Sequence, residues 1–186
     1  MLEEAETKYI CVYCGAAGDV NEAYKQAARD LGRLIGENEF GLVYGGGRLG
    51  LMGIVADASL EAKAHVVGYI PYHLDDREGA HSGLSELHIV DSMHTRKMNM
   101  VKKASAFVVL PGGFGTLDEL FEVITWRQLN LHENPIIVLN TNSYWEPLKA
   151  IIHNVADENF CKPLHRDIVQ FASTPQHAID MLKELL

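Results

Sequence analysis

AFVVLPGGFGTLDELFEVITW, residues 106–126, runs from an apolar β-rich segment through a glycine turn straight into an amphipathic helix. This strand–turn–helix unit decides the fold because it recurs along the chain. Short β-rich runs lie at 9–14 (YICVYC), 41–45 (GLVYG), 65–70 (HVVGYI), 86–90 (ELHIV), 106–111 (AFVVLP) and 135–140 (PIIVLN). Helical periodicity fills most of the intervals, near 20–38, 50–63, 93–104, 116–131 and 145–156. A parallel strand rejoins its sheet only through a crossover of helix length. The alternation therefore predicts an α/β protein, a doubly wound parallel sheet covered by helices on both faces. The strands read as apolar throughout, as burial on both faces requires. After a loop near 157–167, IVQFA reads as a last short strand, and TPQHAIDMLKELL as a closing helix with Thr174 as cap and Pro175 in its first turn.

With 186 residues, 47% of them hydrophobic, the chain suits a single domain over 1–186 with a sizeable core. Its 16 Lys+Arg against 25 Asp+Glu give a net charge of -9, which disfavours the phosphate attraction that nucleic-acid binders depend on. A small anion held by a few local donors remains compatible with that charge. Cys11, Cys14 and Cys161 are too few and too unevenly placed for a disulfide scaffold, and point to a reducing cytoplasm. Cys11 and Cys14 have the spacing of a redox pair or half a zinc site, but they lie inside a strand with no second pair, so core packing is the better reading. The nine histidines have no metal-binding spacing. The start, MLEEAETKY, is acidic where a secretory signal is basic and then apolar, and no run approaches the roughly 20 apolar residues of a membrane span.

Glycines mark three strand-to-helix turns: Cys14-Gly-Ala-Ala-Gly18, Gly45-Gly46-Gly47-Arg-Leu-Gly50-Leu-Met-Gly53 and Gly112-Gly113-Phe114-Gly115-Thr116. In an open α/β sheet, ligands bind at the carboxyl ends of strands, where helix N-termini offer unpaired N–H groups. Three such turns point to a phosphorylated ligand. The second turn fits the dinucleotide fingerprint formally, but the next strand ends in Pro71-Tyr72 where that motif wants an acid, which argues against NAD. Leu51-Met52 after Gly50 excludes a P-loop, which needs Lys and Ser/Thr there. The irregular stretch 71–85, PYHLDDREGAHSGLS, reads as a lid or binding loop.

Two readings stay open at two places. Arg96 and Lys97 fall in the first turn of the helix opened by Ser92, where cations oppose the macrodipole. Either a surface ion pair offsets that cost or the two face a ligand anion. Thr116-x-x-Glu119 is a capping-box pattern, which accounts for both residues without function. It does not account for the preceding glycines, nor for Glu122 one turn beyond Glu119 on the same face. Trp126, Leu129 and Leu131 read as helix packing or a face that meets another subunit.

Taken in order, Gly45-Gly46-Gly47-x-x-Gly50-Leu-Met-Gly53, Met93-His-x-Arg96-Lys97 and Pro111-Gly112-Gly113-x-Gly115-Thr116-x-x-Glu119 with Val123-Ile-Thr125-Trp126 resemble the Lonely Guy family of cytokinin riboside 5'-monophosphate phosphoribohydrolases. The resemblance spans nearly the whole chain. It implies a Rossmann-like fold, a homodimer, no metal or redox cofactor, and hydrolysis of the N-glycosidic bond of AMP or cytokinin riboside monophosphates to free base and ribose 5-phosphate. It further implies Arg96 and Glu119 as the catalytic pair. Substrate contacts would come from Lys97, the turn Gly113, Phe114, Gly115 and Thr116, then Leu117, Asp118, Glu122 and Thr125, with Met93, Gly46, Gly47 and, in the irregular loop, Glu78. Members are often labelled lysine decarboxylases, yet no residue pattern here marks a pyridoxal phosphate site. Molybdenum-cofactor carriers share the fold and turns, so a non-catalytic carrier is the rival expectation, and a general nucleotide nucleosidase in salvage is another. One departure stands out: Ala16 and Ala17 occupy the first turn, where relatives commonly have serine after the first glycine.

Overall fold

The computed structural model describes residues 7–74 and 79–186. Its strands are β1 (Tyr9–Tyr13), β2 (Gly41–Tyr44), β3 (Val66–Pro71), β4 (Glu86–Val90), β5 (Ala106–Val109), β6 (Ile136–Leu139) and β7 (Val169–Ala172). All pair in parallel, in the order β4-β3-β2-β1-β5-β6-β7. The covering helices are α1 (Glu22–Glu37), α2 (Gly50–Glu61), α3 (Met93–Lys103), α4 (Phe114–Gln128), α5 (Glu146–Asp157) and α6 (Pro175–Leu185). The expected doubly wound, single-domain α/β sheet is what forms, each strand lying within a residue or two of its sequence segment.

Alternation of side chains along each strand builds two cores, one per face of the sheet. Val12 and Val108 point to the side covered by α1, α2 and α6, where Leu31, Ile35, Val55 and Ile179 are buried. Tyr13, Phe107 and Val109 point to the other side, against Met100 of α3, Leu120 and Val123 of α4, and Leu148 of α5. Local signals start the helices. The side chains of Asn21, Ser92 and Thr174 accept from the backbone N–H of Ala23, Thr95 and His177 and so cap α1, α3 and α6.

One expectation needs correction. β4 is not buried on both faces: as the edge strand it leaves Glu86, His88 and Ile89 exposed, because nothing pairs beyond it among the described residues. Residues 79–81 of the irregular stretch are pinned to the turn after β2, since Gly47 bridges Ala80, Arg48 N–H donates to Gly79 C=O at 3.0 Å and His81 N–H to Gly46 C=O at 3.0 Å. Among the described residues no helix is long and apolar enough to cross a membrane.

Candidate active site

Strand order reverses between β1 and β5, since β2 to β4 lie on one side and β6 and β7 on the other. The connections leaving β1 and β5 therefore diverge to opposite faces and open a crevice at the strands' carboxyl ends. All three glycine-rich turns meet there. Gly15 N–H donates to Pro111 C=O at 3.1 Å, and Leu51 N–H donates to Gly15 C=O at 3.0 Å. The turns pack so tightly that a Cβ on Gly112 would lie 2.1 Å from Thr116 Oγ1 and 2.9 Å from the Gly15 amide. Between them is a cavity of about 450 Å³.

One wall of this cavity is the start of α4. Its N-cap is Gly113, which has no side chain to offer the first-turn amides, and the first backbone bond of the helix runs from Leu117 N–H to Gly113 C=O at 3.0 Å. The N–H groups of Phe114, Gly115 and Thr116 lie ahead of that bond, with the positive end of the helix dipole behind them. The helix thus begins two residues before the Thr116 that its sequence suggests as a cap. Thr116 is instead buried inside the first turn with its hydroxyl over Gly112, so the capping box does not form. Glu119 is also buried and lines the cavity. Beneath it, burial pushes the Cys11 thiol and the Tyr13 phenol well above their usual ranges, and the Glu119 carboxylate adds to both shifts, which keeps the pair neutral.

Arg96 enters from α3. Its Nε donates to Tyr69 C=O at 3.1 Å and its Nη2 to Gly45 C=O at 2.9 Å, while Nη1 lies 3.7 Å from Met93 Sδ. The guanidinium thus bridges the carboxyl ends of β2 and β3 and faces the cavity. Gly45 is required for this, because any Cβ there would stand 1.8 Å from Arg96 Nη2. Lys97 points elsewhere, to Asp118 at 3.0 Å and Glu122 at 2.8 Å on α4. Burial opposes its charge, but the hydrogen bonds to Glu122 and Asp118 outweigh that and hold the ammonium above its ordinary pKa. The two first-turn cations are therefore accounted for separately: Lys97 by an ion pair, Arg96 by strand-end carbonyls at the cavity.

Of the residues expected at the site, Arg96, Gly113, Gly115, Thr116 and Glu119 line the cavity together. Met93 supports the Arg96 guanidinium from the side. Asp118 and Glu122 engage Lys97, and Thr125 donates its hydroxyl to Phe121 C=O of its own helix at 2.7 Å. Phe114 is 92% exposed and Leu117 is half-buried against the core. Gly46 packs on β3 with φ +74°, and Gly47 C=O accepts the Tyr44 hydroxyl at 3.0 Å, so both shape the turn behind the cavity without lining it. Glu78 lies outside the described residues. The remaining walls were not legible as site residues: Val12, Cys14, Val20, Tyr24, Leu51, Met52 and Tyr144 join Ala16 and Ala17 in a largely apolar lining. Only the glycines flanking Ala16 and Leu51 in sequence hinted at any of them.

Fold and cavity together define a Rossmann-like protein whose cavity opens at the topological switch point, against the N-terminus of a helix entered through glycines. The family model described as "Possible lysine decarboxylase" matches residues 52–182. Cytokinin riboside 5'-monophosphate phosphoribohydrolase LOG3 of Arabidopsis thaliana is 40% identical over 183 residues, covering 98% of this chain and 85% of that protein. The cytokinin riboside 5'-monophosphate phosphoribohydrolase of Rhodococcoides fascians is 43% identical over 177 residues, 95% of this chain and 89% of that one. The chain belongs to this phosphoribohydrolase family, the one its motifs resemble. Among solved structures, the molybdenum cofactor binding protein of Rippkaea orientalis superposes with a TM-score of 0.77 at 19% identity, covering 97% of this chain and 98% of that one. At that identity the likeness is one of fold. The decarboxylase description has no chemical counterpart in the site: no lysine lines the cavity among the described residues, and Lys97 is held by two carboxylates, so no amine is placed for a Schiff base with pyridoxal phosphate.

Proposed function

We propose that this protein hydrolyses the N-glycosidic bond of adenosine 5'-monophosphates, N6-substituted ones of the cytokinin type included, releasing free base and ribose 5-phosphate. The observation that carries this reading is the pairing of a buried guanidinium, Arg96, with a buried carboxylate, Glu119, in one cavity whose rim is the uncapped start of α4. The relatives' activity, at about 40% identity over nearly the whole chain, supports the same chemistry.

The three parts divide the substrate between them. The 5'-phosphate sits on the amides from Gly113 to Thr116, where the helix dipole favours a dianion. Breaking the bond from C1' to the base nitrogen leaves positive charge on the sugar and negative charge on the departing base. The Glu119 carboxylate stabilises the oxocarbenium-like ribose and orients the water whose oxygen bonds to C1'. The proton released from that water balances the charge on the base. Arg96 stabilises the leaving purine electrostatically, held in place by the carbonyls of Gly45 and Tyr69. Lys97, Asp118 and Glu122 brace α3 against α4 so that Arg96 and Glu119, one on each helix, keep their separation.

A second copy of the chain is part of this proposal. Phe114 at the start of α4, Phe121 within it, and Leu129 and Leu131 just after it are exposed apolar side chains, which suit this helix to a homodimer contact. The three cysteines are free, in keeping with a cytoplasmic protein.

Incubation of the pure protein with AMP and with isopentenyladenosine 5'-monophosphate, followed by quantification of free base, tests the assignment. Base release from at least one is expected, with little from the unphosphorylated riboside, and turnover falls by more than about 100-fold in Glu119→Ala and in Arg96→Ala. Tight AMP binding without base release would replace this reading with a carrier.

A further inference from the structure

The segment after β6 carries a set of features that the proposed chemistry leaves unused. Asn142 and Ser143 are consecutive non-glycine residues in the left-handed region, at φ 52° and 58°. Such conformations are costly and persist only where the surroundings impose them. Here the surroundings are Asn140, whose Oδ1 accepts from Trp145 N–H at 2.7 Å and whose Nδ2 donates to Glu146 at 2.6 Å. What this turn delivers is Tyr144. Its ring lines the cavity and stands edge-on to Tyr24 with centroids 5.5 Å apart, and its hydroxyl donates to Gly112 C=O at 2.7 Å.

That last bond matters because of where Gly112 lies. The C=O of Gly112 and the N–H of Gly113 belong to one planar trans peptide and point in opposite directions. Gly113 and Gly115 have open space around them, and glycine places little restriction of its own on the backbone there. One residue earlier, Pro111 C=O is already fixed by Gly15 N–H at 3.1 Å. With Tyr144 holding the next carbonyl, both peptide planes leading into α4 are set.

We infer that Tyr144 is a positioning residue for the phosphate-binding turn: its hydroxyl fixes the Gly112–Gly113 peptide so that the α4 amides converge on the 5'-phosphate. It acts through Gly112 and not on the glycosidic bond, so it governs affinity for the phosphorylated end of the substrate. The inference rests on the phosphoribohydrolase reading given above.

Tyr144→Phe removes the one oxygen and keeps the ring against Tyr24. The test measures kcat and KM for AMP (or for isopentenyladenosine 5'-monophosphate if that is the better substrate), together with the inhibition constants of ribose 5-phosphate and of the free base. The expected result is a rise of about three- to tenfold in KM and in the ribose 5-phosphate constant, the size of one hydrogen bond, with kcat and the free-base constant within about twofold of wild type. An unchanged ribose 5-phosphate constant overturns the inference. So does a parallel rise in both inhibition constants, which would mean general loosening of the cavity. Failure of the underlying reading looks different: the wild type itself would neither release base nor be inhibited by ribose 5-phosphate. Thermal melting with and without ribose 5-phosphate gives a second measurement independent of turnover, and the ligand-induced rise in Tm should be smaller in Tyr144→Phe than in wild type.

Discussion

Gly45→Ala adds one methyl group at the place where the site is tightest. The new carbon would lie 1.8 Å from Arg96 Nη2 and 2.8 Å from its Cζ. Ordinary contact needs about 3.5 Å, so the guanidinium must retreat by roughly 1.5 Å. It can do so because it is the far end of a flexible side chain, whereas a backbone clash would unfold the turn. The retreat breaks the hydrogen bonds to Gly45 C=O and Tyr69 C=O, now 2.9 and 3.1 Å. Charge-assisted bonds are worth about 1.5–3 kcal/mol each, partly recovered by water, so a net loss of about 2 kcal/mol follows. For a chain of this size that lowers Tm by about 4–8 °C and leaves the protein folded at 25 °C. Catalysis is far more sensitive, since a misplacement of about 1 Å in a reacting constellation costs on the order of 100-fold. The assay is base release from the preferred monophosphate, alongside circular dichroism and thermal melting. A folded Gly45→Ala protein with turnover within a few-fold of wild type would refute the claim that Arg96 must sit on those carbonyls to act.

Other consequences follow from the same geometry. Lys97→Met leaves Asp118 and Glu122 facing each other without their cation; the pair is only partly shielded from water, so a stability loss of about 1–3 kcal/mol is expected in urea unfolding. His132 donates from Nε2 to Val123 C=O at 2.9 Å and accepts at Nδ1 from Asn134 N–H, and burial lowers its pKa below the ordinary 6.5. The folded state therefore binds the proton less readily than the unfolded one, so this contribution to stability is complete above pH 6.5 and is lost as pH falls through the depressed value. His132→Gln should flatten the acid side of a Tm-versus-pH curve, and an unchanged slope would assign that loss to other groups. Phe121→Glu combined with Leu129→Glu should shift the sedimentation coefficient of the protein to that of a monomer, whereas an unaltered coefficient would remove this face from the subunit contact.

Most of the sheet was legible because its strands are short, β-branched and buried on both faces, a pattern helices do not share. β4 carried the weakest signal: Glu86 and His88 in ELHIV belong to an edge, and sequence alternation alone does not say which strand ends a sheet. The start of α4 was misread for a related reason. Thr116-x-x-Glu119 has the residues of a capping box, but Gly113 takes the cap position, and Thr116 is needed over Gly112. Arg96 could be singled out by its conflict with the helix dipole, yet its acceptors lie 51 and 27 residues away, on carbonyls that have no identity in sequence. Tyr144, 32 residues from Gly112, carried no local signal at all. Local physics thus marks where a turn or a misplaced charge needs a partner, and the tertiary fold supplies which partner it is.

The most direct measurement is a crystal structure of Glu119→Gln, slowed but isosteric, with AMP bound. The expected result places the phosphate oxygens within hydrogen-bond reach of the Gly113–Thr116 amides and sets C1' of the ribose between Arg96 and the residue 119 side chain. AMP bound elsewhere, or in the cavity with its ribose turned away from both side chains, would contradict the hydrolase assignment.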